Sequence, residues 1–189
     1  MLNGGREDWA TSRRVAKARL LLEPAVQGVG GVWADLGCGD GVFSYLLCTY
    51  LAPGSQLYAV DQDAGVLRQV ARNLADHCGN VTFHATRADF TRPLSLPPLD
   101  GLVMANALHF VQQKAPVLKQ LVTLLKPGAR LILVEYNTRQ GNYAVPYPLD
   151  EDDFLALAAA AGLQDAQIVA RAPSSFLGEM FTGLAFAPE

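Results

Sequence analysis

Charge is scarce in this chain. Of 189 residues, 17% are Asp, Glu, Lys or Arg, against about 25% in an average globular protein. The 18 acidic residues outnumber the 15 basic ones, for a net charge of −3. That balance disfavours a nucleic-acid binder, because displacing counterions from phosphates takes many Lys and Arg. Cysteine is scarcer still. Cys38, Cys48 and Cys78 are too few and too scattered for a disulfide framework or a zinc cluster, and an odd, dispersed count is expected of reduced thiols in the cytosol. His77 and His84 have no convergent acidic or cysteine ligands, so no metal site is expected. Long apolar runs are absent. The most apolar helical stretch, 154–163, falls short of the roughly 20 residues that a membrane helix needs. Met1 to Trp9 carries Arg6, Glu7 and Asp8 where the apolar core of a leader peptide would begin. No repeat, low-complexity segment or long linker divides the chain. These absences predict a single cytoplasmic domain without a membrane anchor.

Apolar residues are abundant. They make up 50% of the chain, enough to offset chain entropy and exclude a disordered tail. They fall in short β-rich segments at Val32–Asp35, Gln56–Val60, Val81–His84, Gly101–Ala105 and Arg130–Glu135. Helix-like stretches at Val42–Leu51, Ala64–His77 and Ala115–Leu125 lie between them. Such alternation predicts right-handed βαβ crossovers and a parallel sheet with helices on both faces. Lys126-Pro127-Gly128 is expected to end a helix before a strand. A helix over 11–27 carries the basic stretch Arg13, Arg14, Lys17 and Arg19, either a guide for an acidic substrate or a solvated face. Asp150 is placed to cap a helix running to Ala161, and strands are expected at Gln167–Ala170 and Phe181–Phe186. The parts are a helical cap (1–30), a core (31–136), a loop (137–149) and a closing helix with two strands (150–189).

The most informative segment is Val32-Trp33-Ala34-Asp35-Leu36-Gly37-Cys38-Gly39-Asp40-Gly41. It leaves a strand, turns through three glycines and enters a helix. Glycine lets a ligand lie against bare backbone, and this crevice is the default ligand site of a doubly wound sheet. Asp61, 22 positions after Gly39, ends the next strand, where a carboxylate can accept both hydroxyls of a ribose. The spacing is G-x-G-x-G, with Val42 where the dinucleotide fingerprint would have its third glycine.

Asp35-Leu36-Gly37-Cys38-Gly39-Asp40-Gly41, followed by Val60-Asp61, resembles the class I S-adenosylmethionine-dependent methyltransferases of the small, single-domain kind. Ala88-Asp89-Phe90 resembles the family's acidic segment after the third strand. Asp100 to His109 resembles its fourth-strand motif, and Leu124 to Leu131 its lead into the fifth strand, with Ala129 at a common glycine position. The match covers roughly 30–136. Asp40 stands where the family usually has Thr or Ser. The resemblance implies a Rossmann-like, seven-stranded, mostly parallel sheet of order 3-2-1-4-5-7-6 with the last strand antiparallel. It also implies S-adenosyl-L-methionine as cofactor and S-adenosyl-L-homocysteine as product.

The resemblance implies a role for each residue. Gly37, Cys38 and Gly39 lie along the methionyl portion, and Asp35 supports the loop or the cofactor's ammonium group. Asp61 holds the ribose, Gln62 lies against the adenine, and Asp89 with Phe90 contacts the base. Asn106 lines the reaction centre. Each has a plainer structural reading as turn, cap or strand end. His109 and Glu135, near the same rim, are the candidates for acid–base work. Tyr136, Arg139 and Tyr143 of the following loop are the candidates for substrate contact.

The expected partner is a small-molecule methyl acceptor, and low surface charge leaves room for a homodimer patch. An RNA or protein methyltransferase is a second reading, although Asn106-Ala107-Leu108-His109 lacks the prolines and aromatic of enzymes that methylate exocyclic or amide nitrogens. A nicotinamide oxidoreductase, whose glycine spacing disagrees, and a non-catalytic cofactor-binding subunit complete the alternatives.

Overall fold

A computed structural model describes residues 12–189. The expected absence of a leader over Met1–Trp9 and the start of the helical cap lie outside those residues. Helix α1 (Arg13–Leu22) and a 3-10 turn (Glu23–Ala25) lead to β1 (Val32–Leu36), α2 (Val42–Tyr50), β2 (Gln56–Asp61), α3 (Ala64–Leu74) and β3 (Thr82–Arg87). Next come β4 (Leu99–Ala105), a 3-10 turn (Leu108–Phe110), α4 (Lys114–Val122), β5 (Leu125–Tyr136), α5 (Glu151–Ala160), β6 (Gln164–Ser174) and β7 (Gly178–Phe186). The strands form one seven-stranded sheet of order β3-β2-β1-β4-β5-β7-β6. The first five are parallel, and β7 runs antiparallel to both β5 and β6.

Strand side chains alternate between two hydrophobic layers because successive residues point to opposite faces. Trp33, Leu57, Val103 and Ile132 meet α1, α2 and α3 on one face. Ala34, Leu36, Leu102, Leu131 and Leu133 meet α4 and α5 on the other. Burial on both faces explains the continuous apolar runs of the central strands. Asp150 caps α5 with a reciprocal hydrogen bond through Asp153, a capping box that satisfies two otherwise orphaned groups.

Three expectations are corrected. Helix α4 ends at Val122, and β5 begins at Leu125 and continues through Pro127 and Gly128. The Leu99 N–H donates to the Leu124 carbonyl, and Leu99 pairs with Leu125 across a bulge; the pairing also starts β4 two residues early. Strands β6 and β7 run longer than expected because they form a hairpin, whose register shifts at Gln164/Gln167 and Ile168/Ala170 blur alternation in the sequence. The reading of three reduced thiols is also wrong, because Cys48 and Cys78 are disulfide-bonded, with Cα atoms 4.6 Å apart. The C-terminal turn of α2 and the loop after α3 meet there, across 30 residues of chain. Disulfides persist in oxidising compartments, so the thiol count no longer supports a cytosolic location. Among the described residues, no helix is long and apolar enough to cross a membrane.

Candidate active site

The cleft opens where β1 ends. Gly37 has φ 74°, and a Cβ there would lie 2.8 Å from Ala107 Cβ and 3.3 Å from the Phe90 ring. Gly41 (φ 84°) is closed off by Val70 at 2.9 Å, so it performs the helix-packing role that dinucleotide folds give to a glycine one residue later. The N–H groups of Gly37 and Cys38 both donate to the Val60 carbonyl, at 2.8 and 3.0 Å. This locks the loop onto β2. At the tip of β2, Asp61 Oδ2 accepts from Gly39 N (3.1 Å) and Oδ1 from Asp63 N (2.9 Å). A carboxylate has about four acceptor positions, so Asp61 still has capacity toward the cleft.

Two chambers meet at this loop. One, of about 380 Å³, is lined by Gly37, Gly39, Asp61, Gln62, Asp89, Phe90, Asn106 and Phe110 among others. The other, of about 540 Å³, involves Arg14, Lys17, Cys38, Phe43, Tyr136 and Met180. Gly37, Gly39 and Asn106 belong to both. Asn106 adopts φ 53°, a left-handed conformation that Asn tolerates better than most residues. Its buried Oδ1 has no hydrogen-bond partner among the described residues. An orphaned buried acceptor is costly unless a ligand or water satisfies it.

The flanking carboxylates differ in environment. Asp89 Oδ1 accepts from the Thr91 hydroxyl and N–H, which lowers its pKa. Asp35 lines neither chamber: it is buried behind the loop, accepts from Ser44 Oγ at 2.7 Å, and burial pushes its pKa up to about 7. It braces β1 against α2. Cys38 is buried in the lining, and burial, then Asp35 and Asp61, push its thiol pKa up. It stays protonated and packs as a small apolar group.

His109 is not on the rim. It is buried, and its Nδ1 lies 2.6 Å from Oε2 of the fully buried Glu135. Glu135 Oε1 also accepts from the Leu108 and His109 N–H groups. The His109 ring packs against Phe110 and Tyr136, one from each chamber's lining. Of the three substrate candidates, Tyr136 alone lines the cleft. Arg139 is paired with Asp150 and Asp153 at the start of α5, and Tyr143 is 97% exposed; neither lines a chamber. Arg14 and Lys17, from the basic stretch read as either a guide for an acidic substrate or a solvated face, line the larger chamber. With Ala18 and Leu21 they form one helical face at i, i+3, i+4 and i+7. The period is legible in sequence, but which way the face points is not.

A methyltransferase-domain family matches residues 34–131. The chain belongs to the class I S-adenosylmethionine-dependent methyltransferases. A trans-aconitate 2-methyltransferase of Pseudomonas paraeruginosa is 28% identical over 149 residues, covering 74% of this chain and 51% of that protein. A demethylmenaquinone methyltransferase of Clavibacter sepedonicus is 29% identical over 125 residues, 66% of this chain and 47% of that protein. The methyltransferase chain thus spans about half the length of these relatives. A SAM-dependent methyltransferase from Aquifex aeolicus shares its fold at TM-score 0.69 with 17% identity, covering 91% of this chain and 93% of the other. The cleft fits this family's cofactor: the Gly37 cradle has no room for a side chain, Asp61 keeps free acceptor positions, and Asn106 offers an unsatisfied carbonyl.

Proposed function

We propose that this protein transfers a methyl group from S-adenosylmethionine to a small-molecule acceptor. The observation that carries this reading is the pair of chambers joined at Gly37, Gly39 and Asn106. Asp61, Gln62, Asp89 and Phe90 hold the nucleoside in the smaller chamber, and Gly37, Cys38 and Gly39 flank the methionyl portion. Tyr136 and Asn106 border the reacting centre. Asp35 acts indirectly, by holding the loop. Bound there, the cofactor supplies a methyl group already activated by its sulfonium. The protein's part is alignment and exclusion of water, which can supply much of the rate enhancement of such a displacement.

Titration calorimetry with S-adenosylhomocysteine and with NADH tests the cofactor assignment. The homocysteine compound is expected to bind, and Asp61→Ala to weaken it at least about tenfold, the scale of a lost charged hydrogen bond. Tighter binding of NADH would overturn the assignment. Tritium from methyl-labelled cofactor should move into acid-soluble small molecules when metabolite mixtures are supplied; transfer only into acid-precipitable RNA or protein would reject a small acceptor.

A further inference from the structure

We infer that the methyl acceptor is a small carboxylic acid with an apolar body, taken up as its anion by Lys17; this rests on the methyl-transfer reading of the same cleft. The described lining of the larger chamber has three charged side chains, Arg14, Lys17 and Asp40. Asp40 and Arg14 neutralise one another, with Oδ2 2.7 Å from the guanidinium. Lys17 is half-buried and makes no hydrogen bond or ion pair among the described residues. An ammonium without a counter-ion among the described residues, set against Leu21, Phe43, Tyr136 and Met180, attracts anions because such walls screen charge weakly. The same walls receive an apolar body.

The cofactor's own carboxylate has another place to bind. Helix α2 starts at Val42 after Gly41, which supplies no side-chain cap, and Val42 and Phe43 line the chamber. Their N–H groups have no partner within the helix, and a helix N-terminus favours negative charge. Lys17, on α1, is left for the acceptor.

A carboxylate also suits the chemistry of the chamber. Asp40 is held by Arg14, and the pKa of the Cys38 thiol is pushed up. Burial, then Glu135, does the same to the Tyr136 phenol, and His109 sits behind the wall. The described lining therefore offers no free base. A carboxylate needs none, since its oxygen is already anionic at neutral pH. An oxygen lone pair forms the new O–C bond, the C–S bond of the sulfonium breaks, and sulfur keeps that electron pair. The products are a neutral methyl ester and S-adenosylhomocysteine, with no proton released.

The test uses protein loaded with S-adenosylhomocysteine and titrated with phenylacetate, cyclohexanecarboxylate and uncharged phenylacetamide. At least one carboxylate should bind and the amide should not. Lys17→Met should weaken the bound carboxylate about ten- to a hundredfold, the range of a charge-assisted hydrogen bond, and leave the affinity for S-adenosylhomocysteine unchanged. Lys17→Arg should retain carboxylate binding, as should Arg13→Met, an exposed change outside the lining. With S-adenosylmethionine, the bound acid should yield an alkali-labile methyl ester. The inference falls alone if S-adenosylhomocysteine binds but neither acid does, if the amide binds as well as the acid, or if the product resists alkali. Equal weakening of S-adenosylhomocysteine by Lys17→Met also overturns it, by assigning Lys17 to the cofactor. Wild-type protein that binds no S-adenosylhomocysteine overturns the methyl-transfer reading as well.

Discussion

His109 and Glu135 form a buried pair, Nδ1 to Oε2 at 2.6 Å, that ties the end of β5 to the turn after β4. Glu135 accepts three hydrogen bonds there, two from backbone N–H groups, while the His109 carbonyl accepts from Tyr147 N. Three segments are held by one pair. Truncating Glu135 would leave two buried N–H groups and the His109 ring without a partner, and each unsatisfied buried polar group typically costs about 1–3 kcal/mol. Glu135→Ala is expected to lose stability on that scale in urea unfolding. Glu135→Gln should lose less, since an amide oxygen still accepts the backbone N–H groups. Equal stability of wild type and Glu135→Ala would show that the pair does not hold the turn.

Asp35 makes stability depend on pH in an unusual direction. Burial raises its folded-state pKa from 3.8 to about 7, so the folded protein binds a proton that the unfolded chain has already released. By linkage, this group's contribution falls as pH rises from about 4 to about 7 and levels off above, a change on the order of a few kcal/mol. Asp35→Asn keeps an acceptor for Ser44 but cannot ionise. Denaturation at pH 5 and pH 8 should show the variant gaining on wild type at the higher pH. A constant difference would contradict a raised pKa.

Asn106 sets stability against binding. Asn106→Gly removes an orphaned buried acceptor and suits φ 53°. The change is expected to leave stability equal or raise it by up to about 1 kcal/mol. Affinity for S-adenosylhomocysteine should fall at least about tenfold. If that affinity held, the unsatisfied carbonyl would have no role in binding.

Gly37 and Gly54 share a positive φ but not their surroundings. A Cβ at Gly37 meets Ala107 at 2.8 Å, whereas at Gly54 nothing lies within 4 Å. Gly54→Ala should cost only the backbone strain, on the order of 1 kcal/mol, and spare binding. Gly37→Ala adds a clash in the cleft wall and is expected to abolish S-adenosylhomocysteine binding in calorimetry.

The Cys48–Cys78 bond closes a loop across 30 residues, a length for which about 2–4 kcal/mol of stabilisation is typical. Cys78→Ser should lower stability by that amount without altering cofactor affinity. Peptide mapping without reductant should recover Cys48 linked to Cys78, with Cys38 alkylated only after unfolding.

Much of the fold was legible because its signals are local. Apolar runs, the three glycines of residues 37–41 and Asp61 at a strand tip each depend on neighbours in sequence, and the sheet order followed from family resemblance. Strands β6 and β7 were harder to delimit, since bulges at Asp165 and Val169 break the alternation on which a strand's reading depends.

By itself, the sequence determined the alternating strands and helices, the glycine turn and the acid at position 61, because a strand buried on both faces and a turn of positive φ admit few residue types. Tertiary structure alone decided which polar groups face the cleft. It buried His109 against Glu135, drew Arg139 to the start of α5, joined Cys48 to Cys78 and turned Lys17 into the larger chamber. Those outcomes depend on how distant segments pack, and a side chain's type and spacing do not encode which distant partner it will meet.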